Sequence, residues 1–127
     1  MARRWPASVL LLALSGCSSL QAPARDVADR FSAAVAASDW AAGCGLLAPQ
    51  TKAELEKSAG TACPTALADE DLPDAGPLEE LAGFGTMAQV RFAGDTVFVA
   101  QFPGGWKVMA AGCAPVSGHP YDCRLKG

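Results

Sequence analysis

The stretch Thr86–Phe102, TMAQVRFAGDTVFVAQF, decides the fold. Ala88, Val90 and Phe92 alternate with Met87, Gln89 and Arg91, the period of two that marks a strand with one face buried. Gly94-Asp95 is a turn signal. After it the alternation resumes, with Val97 and Val99 on one side and Phe98, Ala100 and Phe102 on the other. Two strands joined by so short a connection pair antiparallel.

The pattern extends both ways. Leu78 to Ala82 reads as a weaker strand. Pro103-Gly104-Gly105 makes the next turn, and Trp106 to Ala111 the next strand, with Trp106, Val108 and Ala110 on a shared face and Cys113 at its end. Ser117-Gly118-His119-Pro120 is a connection, and Tyr121 to Leu125 a last short strand. The second half of the chain is thus an antiparallel meander.

Upstream the period changes to that of helices. Val27, Phe31, Val35 and Ser38 follow the spacing of one helix face, in a stretch that Pro23 opens. Asp39 is placed to cap a short helix through Trp40, Ala41, Ala42 and Cys44. Pro49 to Ser58 reads as a third helix, with Thr51-Lys52-Ala53-Glu54 as a capping box and Gly60 as its stop. Cys63-Pro64 begins a further short turn or helix. Asp69-Glu70-Asp71-Leu72-Pro73-Asp74 is acidic and broken by proline. It lacks the glycine and distal glutamate of a calcium loop and reads as a solvated connection. The fold class is therefore α+β, with N-terminal helices packed on a curved antiparallel sheet.

The N-terminus carries an address. Arg3 and Arg4 precede an apolar run from Ala7 to Leu14, then small residues and Cys17, in the layout of an export signal. The run is under half of the ~20 residues that a spanning helix needs. Leu14-Ser15-Gly16-Cys17 has the form of a bacterial lipobox, in which the cysteine thiol takes a diacylglycerol before cleavage. The expected organisation is a signal peptide over 1–16, a tether over 17–23 and a domain over 24–127. An ordinary secretory signal with a chance cysteine is the competing reading. A twin-arginine route fits the residues around Arg3 and Arg4 poorly.

Cys17 is one of five cysteines. The other four, Cys44, Cys63, Cys113 and Cys123, are an even number in an exported chain and read as disulfides. Of three possible pairings, Cys44–Cys63 and Cys113–Cys123 are preferred because each joins neighbouring elements. Zinc is disfavoured, since no C-x-x-C spacing exists and the single His119 stands beside Pro120. The same absence argues against dithiol redox catalysis. No cofactor or metal is expected.

The chain of 127 residues has a net charge of −3, and losing Arg3 and Arg4 makes the remainder more acidic. That speaks against a nucleic-acid partner, which favours a basic face. The hydrophobic share of 50% is rich in alanine, so a domain of this size gains from covalent staples.

Asp39-Trp40 with Cys44 and Cys63, Gly105-Trp106-Lys107-Val108 with Ala111-Gly112-Cys113, and Pro120-Tyr121-Asp122-Cys123 resemble small exported actinobacterial proteins of the nuclear transport factor 2-like superfamily. The resemblance covers nearly the whole chain after Cys17. It implies an α+β cone with a cavity between helices and sheet, and a fold that often forms homodimers. Some members of the superfamily are isomerases or cyclases and others only bind, so the fold alone does not assign an activity.

Two functions follow. The first is a non-catalytic lipoprotein on the outer face of the cell membrane, held by lipid on Cys17. It would bind an apolar small molecule in the cone or dock on an envelope protein. Trp40, Phe84, Met87, Phe98, Phe102, Trp106 and Met109 are the candidate pocket residues, though such side chains also fill cores. The alternative is an isomerase or cyclase-like enzyme using a cavity carboxylate. For that role Asp95, Asp122, His119 and Tyr121 are on offer, and none stands in a motif that makes it catalytic.

Overall fold

The computed structural model describes residues 18–127, so the expected signal peptide over 1–16 and Cys17 lie outside the described residues. Four helices come first: α1 (Ser18–Ala36), α2 (Trp40–Gly45), α3 (Pro49–Ala59) and α4 (Cys63–Asp69). Five strands follow: β1 (Leu78–Phe84), β2 (Met87–Phe92), β3 (Thr96–Phe102), β4 (Gly105–Val116) and β5 (His119–Lys126). They form one open antiparallel sheet in chain order, β1-β2-β3-β4-β5. The expected α+β meander is present.

The helices cover one face of that sheet. Phe31 from α1 and Leu67 from α4 are buried against Val90, Val97, Val99, Val108 and Leu125. Alternation does what the sequence predicts in β2, where Ala88, Val90 and Phe92 are buried while Met87 and Arg91 are exposed. α1 begins at Ser18 with Pro23 inside it, earlier than its expected start at Pro23. Inside a helix proline keeps a helical φ but removes one backbone hydrogen bond and crowds the carbonyl four residues before it. Asp39 caps α2 as expected, its carboxylate accepting from the Ala42 N–H at 3.3 Å.

The capping box at Thr51 does not form. The residue before α3 is Ala48, which makes no side-chain cap. Thr51 lies inside the helix, almost fully buried, and its hydroxyl donates to the carbonyl of Met109 at 2.9 Å. Tertiary contact thus takes a side chain that local chemistry assigns to a cap. Gly60 does end α3, in the left-handed conformation that lacks a steric penalty only for glycine.

β4 departs most from expectation. It runs on through Cys113 to Val116, and its register against β3 slips twice. Val99 opposes Val108 and Phe98 opposes Ala110, so Met109 is an extra residue. A second slip follows, between Ala110 and Cys113. Each bulge shifts which side chains face the helices. Val108 and Ala111 are buried, whereas Ala110, predicted to share a face with Val108, is only half-buried. Where β5 stops pairing, at Ala110, the chain after α2 takes over the β4 edge. Leu47 bridges Val108 in parallel, with Ala48 N–H to Val108 O and Val108 N–H to Leu46 O both at 2.8 Å.

Both disulfides join the preferred partners, Cys44–Cys63 and Cys113–Cys123. The first ties α2 to α4 with both cysteines buried. The second links directly opposed residues of β4 and β5. Replacing Cys44 and Cys63 together by alanine lowers the unfolding free energy by about 3 kcal/mol, from the loop the bridge closes. Urea denaturation of the variant and the parent chain measures it.

Candidate functional site

Asp95 lies at the turn before β3 and is the described carboxylate with the densest set of hydrogen bonds. Its Oδ1 accepts from the N–H of Thr96 at 2.8 Å and of Cys113 at 3.0 Å, and its Oδ2 accepts from Gly112 N–H at 3.0 Å. At the second bulge of β4 the carboxylate thus ties the turn before β3 to the Gly112 and Cys113 N–H groups. Gly112 has φ of 65°, and a Cβ there would meet Leu72 and Arg124 side chains at 2.9 and 3.1 Å. Only glycine suits that backbone.

Burial pushes the Asp95 carboxyl above its usual range. The three N–H groups and the nearby charge of Arg124 act in the opposite direction and are outweighed. Asp95 also borders two spaces. On the helix side a void of about 10 Å³ lies among Phe31, Val35, Leu72 and Ala75, room for about one water. On the other face an open hollow of about 410 Å³ is lined by Glu79, Arg91, Asp95, Thr96, Cys113 and Tyr121, among others.

Tyr121 reaches across that face. Its hydroxyl oxygen accepts from Gln89 Nε2 at 2.8 Å, and its ring meets Phe98 edge-on at 5.4 Å. Arg91 pairs with Glu80 at 2.6 Å and Glu79 at 3.8 Å, but all three are solvent-exposed, so these pairs add little to stability. Asp122 is exposed, 4.0 Å from Lys126. The His119 side chain and Cys17 lie outside the described residues.

The seven pocket candidates are not gathered round one cavity. Trp40 and Trp106 pack on the core beside the helices. Phe98 is on the opposite face, against Tyr121. Phe84 is 62% exposed and Met87 39%, at the outer end of β1 and β2. Phe102 is half-buried at the end of β3, and Met109 is half-buried at a bulge. Among the described residues no group of three or more histidine, cysteine, aspartate or glutamate side chains is placed to hold a metal. No described helix is long and apolar enough to cross a membrane.

The backbone-holding roles of Asp95 and Gly112 escape sequence reading, which places Asp95 at a turn and offers it only as a candidate cavity carboxylate. A glycine inside a strand pattern is the one signal of the bulge. Comparison with protein-family models, curated proteins and solved structures finds no match to this chain.

Asp95→Ala orphans three N–H groups at a half-buried site and lowers stability by about 1–3 kcal/mol. The pH dependence has a definite sign. The folded state holds the Asp95 proton more tightly than the unfolded chain, whose value is near 3.8. The stabilising contribution of that proton is complete below 3.8 and disappears as pH rises through the higher folded value. The stability gap between parent and variant therefore widens from about pH 7 to about pH 3, as urea titrations at the two pH values will show.

Proposed function

We propose that this chain is a membrane-anchored lipoprotein of the cell envelope. On that reading it is cleaved before Cys17, carries diacylglycerol there and stands on the extracytoplasmic face. Its domain acts by binding and not by catalysis. The observation that carries the binding reading is the state of Asp95. Three of the four lone pairs of this carboxylate are taken by backbone N–H groups, so the group best placed to act as a base is engaged in holding a strand. Helices followed by an open antiparallel sheet are compatible with the nuclear transport factor 2-like resemblance, though the helix-side void by Asp95 holds no more than a water and gives little support to an apolar ligand there. A protein partner in the envelope fits better, with the uncovered sheet face as its seat.

The isomerase or cyclase reading has one feature in its favour. Asp95 combines an upshifted carboxyl with an open hollow of about 410 Å³. A base must direct a lone pair at the substrate, and only one on Oδ2 remains. Nucleic acid is not a partner on this reading, given the acidic balance of the chain.

A native mass spectrum of the protein, extracted gently from its own membranes, tests the proposal. The expected species begins at Cys17, bears diacylglycerol, has both disulfides closed and carries no small molecule. A chain that begins elsewhere without lipid refutes the anchor. A bound metabolite would restore the small-ligand reading.

A further inference from the structure

Charge is distributed unevenly along the sheet. Between Glu80 and Arg91, and again between Asp95 and Lys107, the chain has no ionisable side chain. Those two uncharged runs form the β1–β2 hairpin, with Phe84-Gly85-Thr86-Met87 at its tip, and the β3–β4 hairpin, with Phe102-Pro103-Gly104-Gly105-Trp106 at its tip. β2 and β3 are neighbours, Met87 opposes Ala100, and Gln101 N–H donates to Thr86 O at 2.8 Å. The two tips therefore lie side by side at one end of the sheet. Glu79, Glu80, Arg91 and Asp95 fall towards the other end.

This end is apolar and unpartnered in a way the rest of the surface is not. Phe84 and Met87 are two of the three exposed large hydrophobic side chains among the described residues. The third, Val116, is at the opposite end, on a strand whose Ala114 and Pro115 border the hollow of Glu79 and Arg91. Trp106, half-buried, adds an aromatic ring with a polar edge, the kind of side chain that settles at a lipid–water boundary. Lys107, the first cation after the tip, is half-buried, and its ammonium donates to the carbonyl of Gly45 at 3.1 Å, so it adds no free charge to this end.

The proposed anchor lies close to the domain. Only six residues separate Cys17 from Ala24, the first buried residue of α1 among those described. A lipid on Cys17 would hold the domain close to the bilayer, and the uncharged tips are the part of the sheet suited to touch it.

We infer that the paired hairpin tips, Phe84–Met87 and Phe102–Trp106, are a membrane-contact surface that seats the domain on the lipid interface. This rests on the lipoprotein reading and adds an orientation to it. Acyl chains on Cys17 supply the hold, while the tips fix which face looks outward. The hollow above Asp95 then points away from the bilayer, free for a partner.

Tryptophan reporters test the orientation. Phe84→Trp and Val116→Trp both change exposed side chains, so neither disturbs the core. Each full-length protein is expressed with its signal, purified and placed in vesicles of phosphatidylcholine and phosphatidylglycerol brominated along their acyl chains. The expected result is about a twofold loss of the added emission for Phe84→Trp and none for Val116→Trp. Equal quenching at both positions, or none at Phe84→Trp, overturns the inference. An intact mass on the same sample separates the two claims. A lipidated chain whose Phe84→Trp emission is not quenched defeats the tip contact and leaves the anchor standing. An unlipidated chain that is still quenched keeps the contact and defeats the anchor.

Discussion

The sheet depends on one carboxylate. β4 carries its second bulge where Asp95 supplies acceptors for the Gly112 and Cys113 N–H groups. An unpaired amide buried at that point would cost about 1–3 kcal/mol. With the bulge in place, Ala111 turns to the helices and Cys113 comes opposite Cys123. The disulfide, the pairing of β5 and the burial of Leu125 follow from that register. The ionised carboxylate is itself disfavoured by burial, so the same interaction that holds the strand carries an electrostatic cost.

A second constraint comes from the small size of the side chains. Alanine at 24, 28, 66, 88 and 111 lets helices and sheet approach closely, and Phe31 and Leu67 fill the middle. The void beside Asp95 on the helix side is water-sized. A layer packed in this way puts its open surface on the other face of the sheet, where Tyr121, Gln89 and Phe98 form a polar and aromatic cluster. Uncovered by helices, and carrying both polar and aromatic side chains, that face has the properties of a contact surface. In the proposed setting of a lipid-held domain, the sheet is divided along its length, with an uncharged end for the bilayer and a charged end for a partner.

Much of this architecture was legible in residue order. Alternation through Thr86–Phe102 predicts β2 and β3 and their burial, because a strand side chain has only two directions available. Asp39 as a cap, Gly60 as a stop and the cysteine pairing are also local in origin and are present as read. The reading fails where a residue answers to a distant one. Thr51 fits a cap by spacing, yet it bonds Met109, far along the chain. Ala110 fits a core face by alternation, yet the bulge at Met109 turns it away. Of the candidate site, the aromatic residues could be named, but whether they shared a cavity could not, because that depends on which face each strand presents.

The sequence by itself determined the class of fold, the order of its elements, the two covalent staples and the absence of charge along two hairpins, since all of these rest on local periodicity and composition. Tertiary structure alone decided that Asp95 serves the backbone, that the named aromatics divide between opposite faces, and that the two uncharged tips sit side by side. Those outcomes depend on strand register, and register is settled by long-range hydrogen bonds and packing that no window of sequence contains.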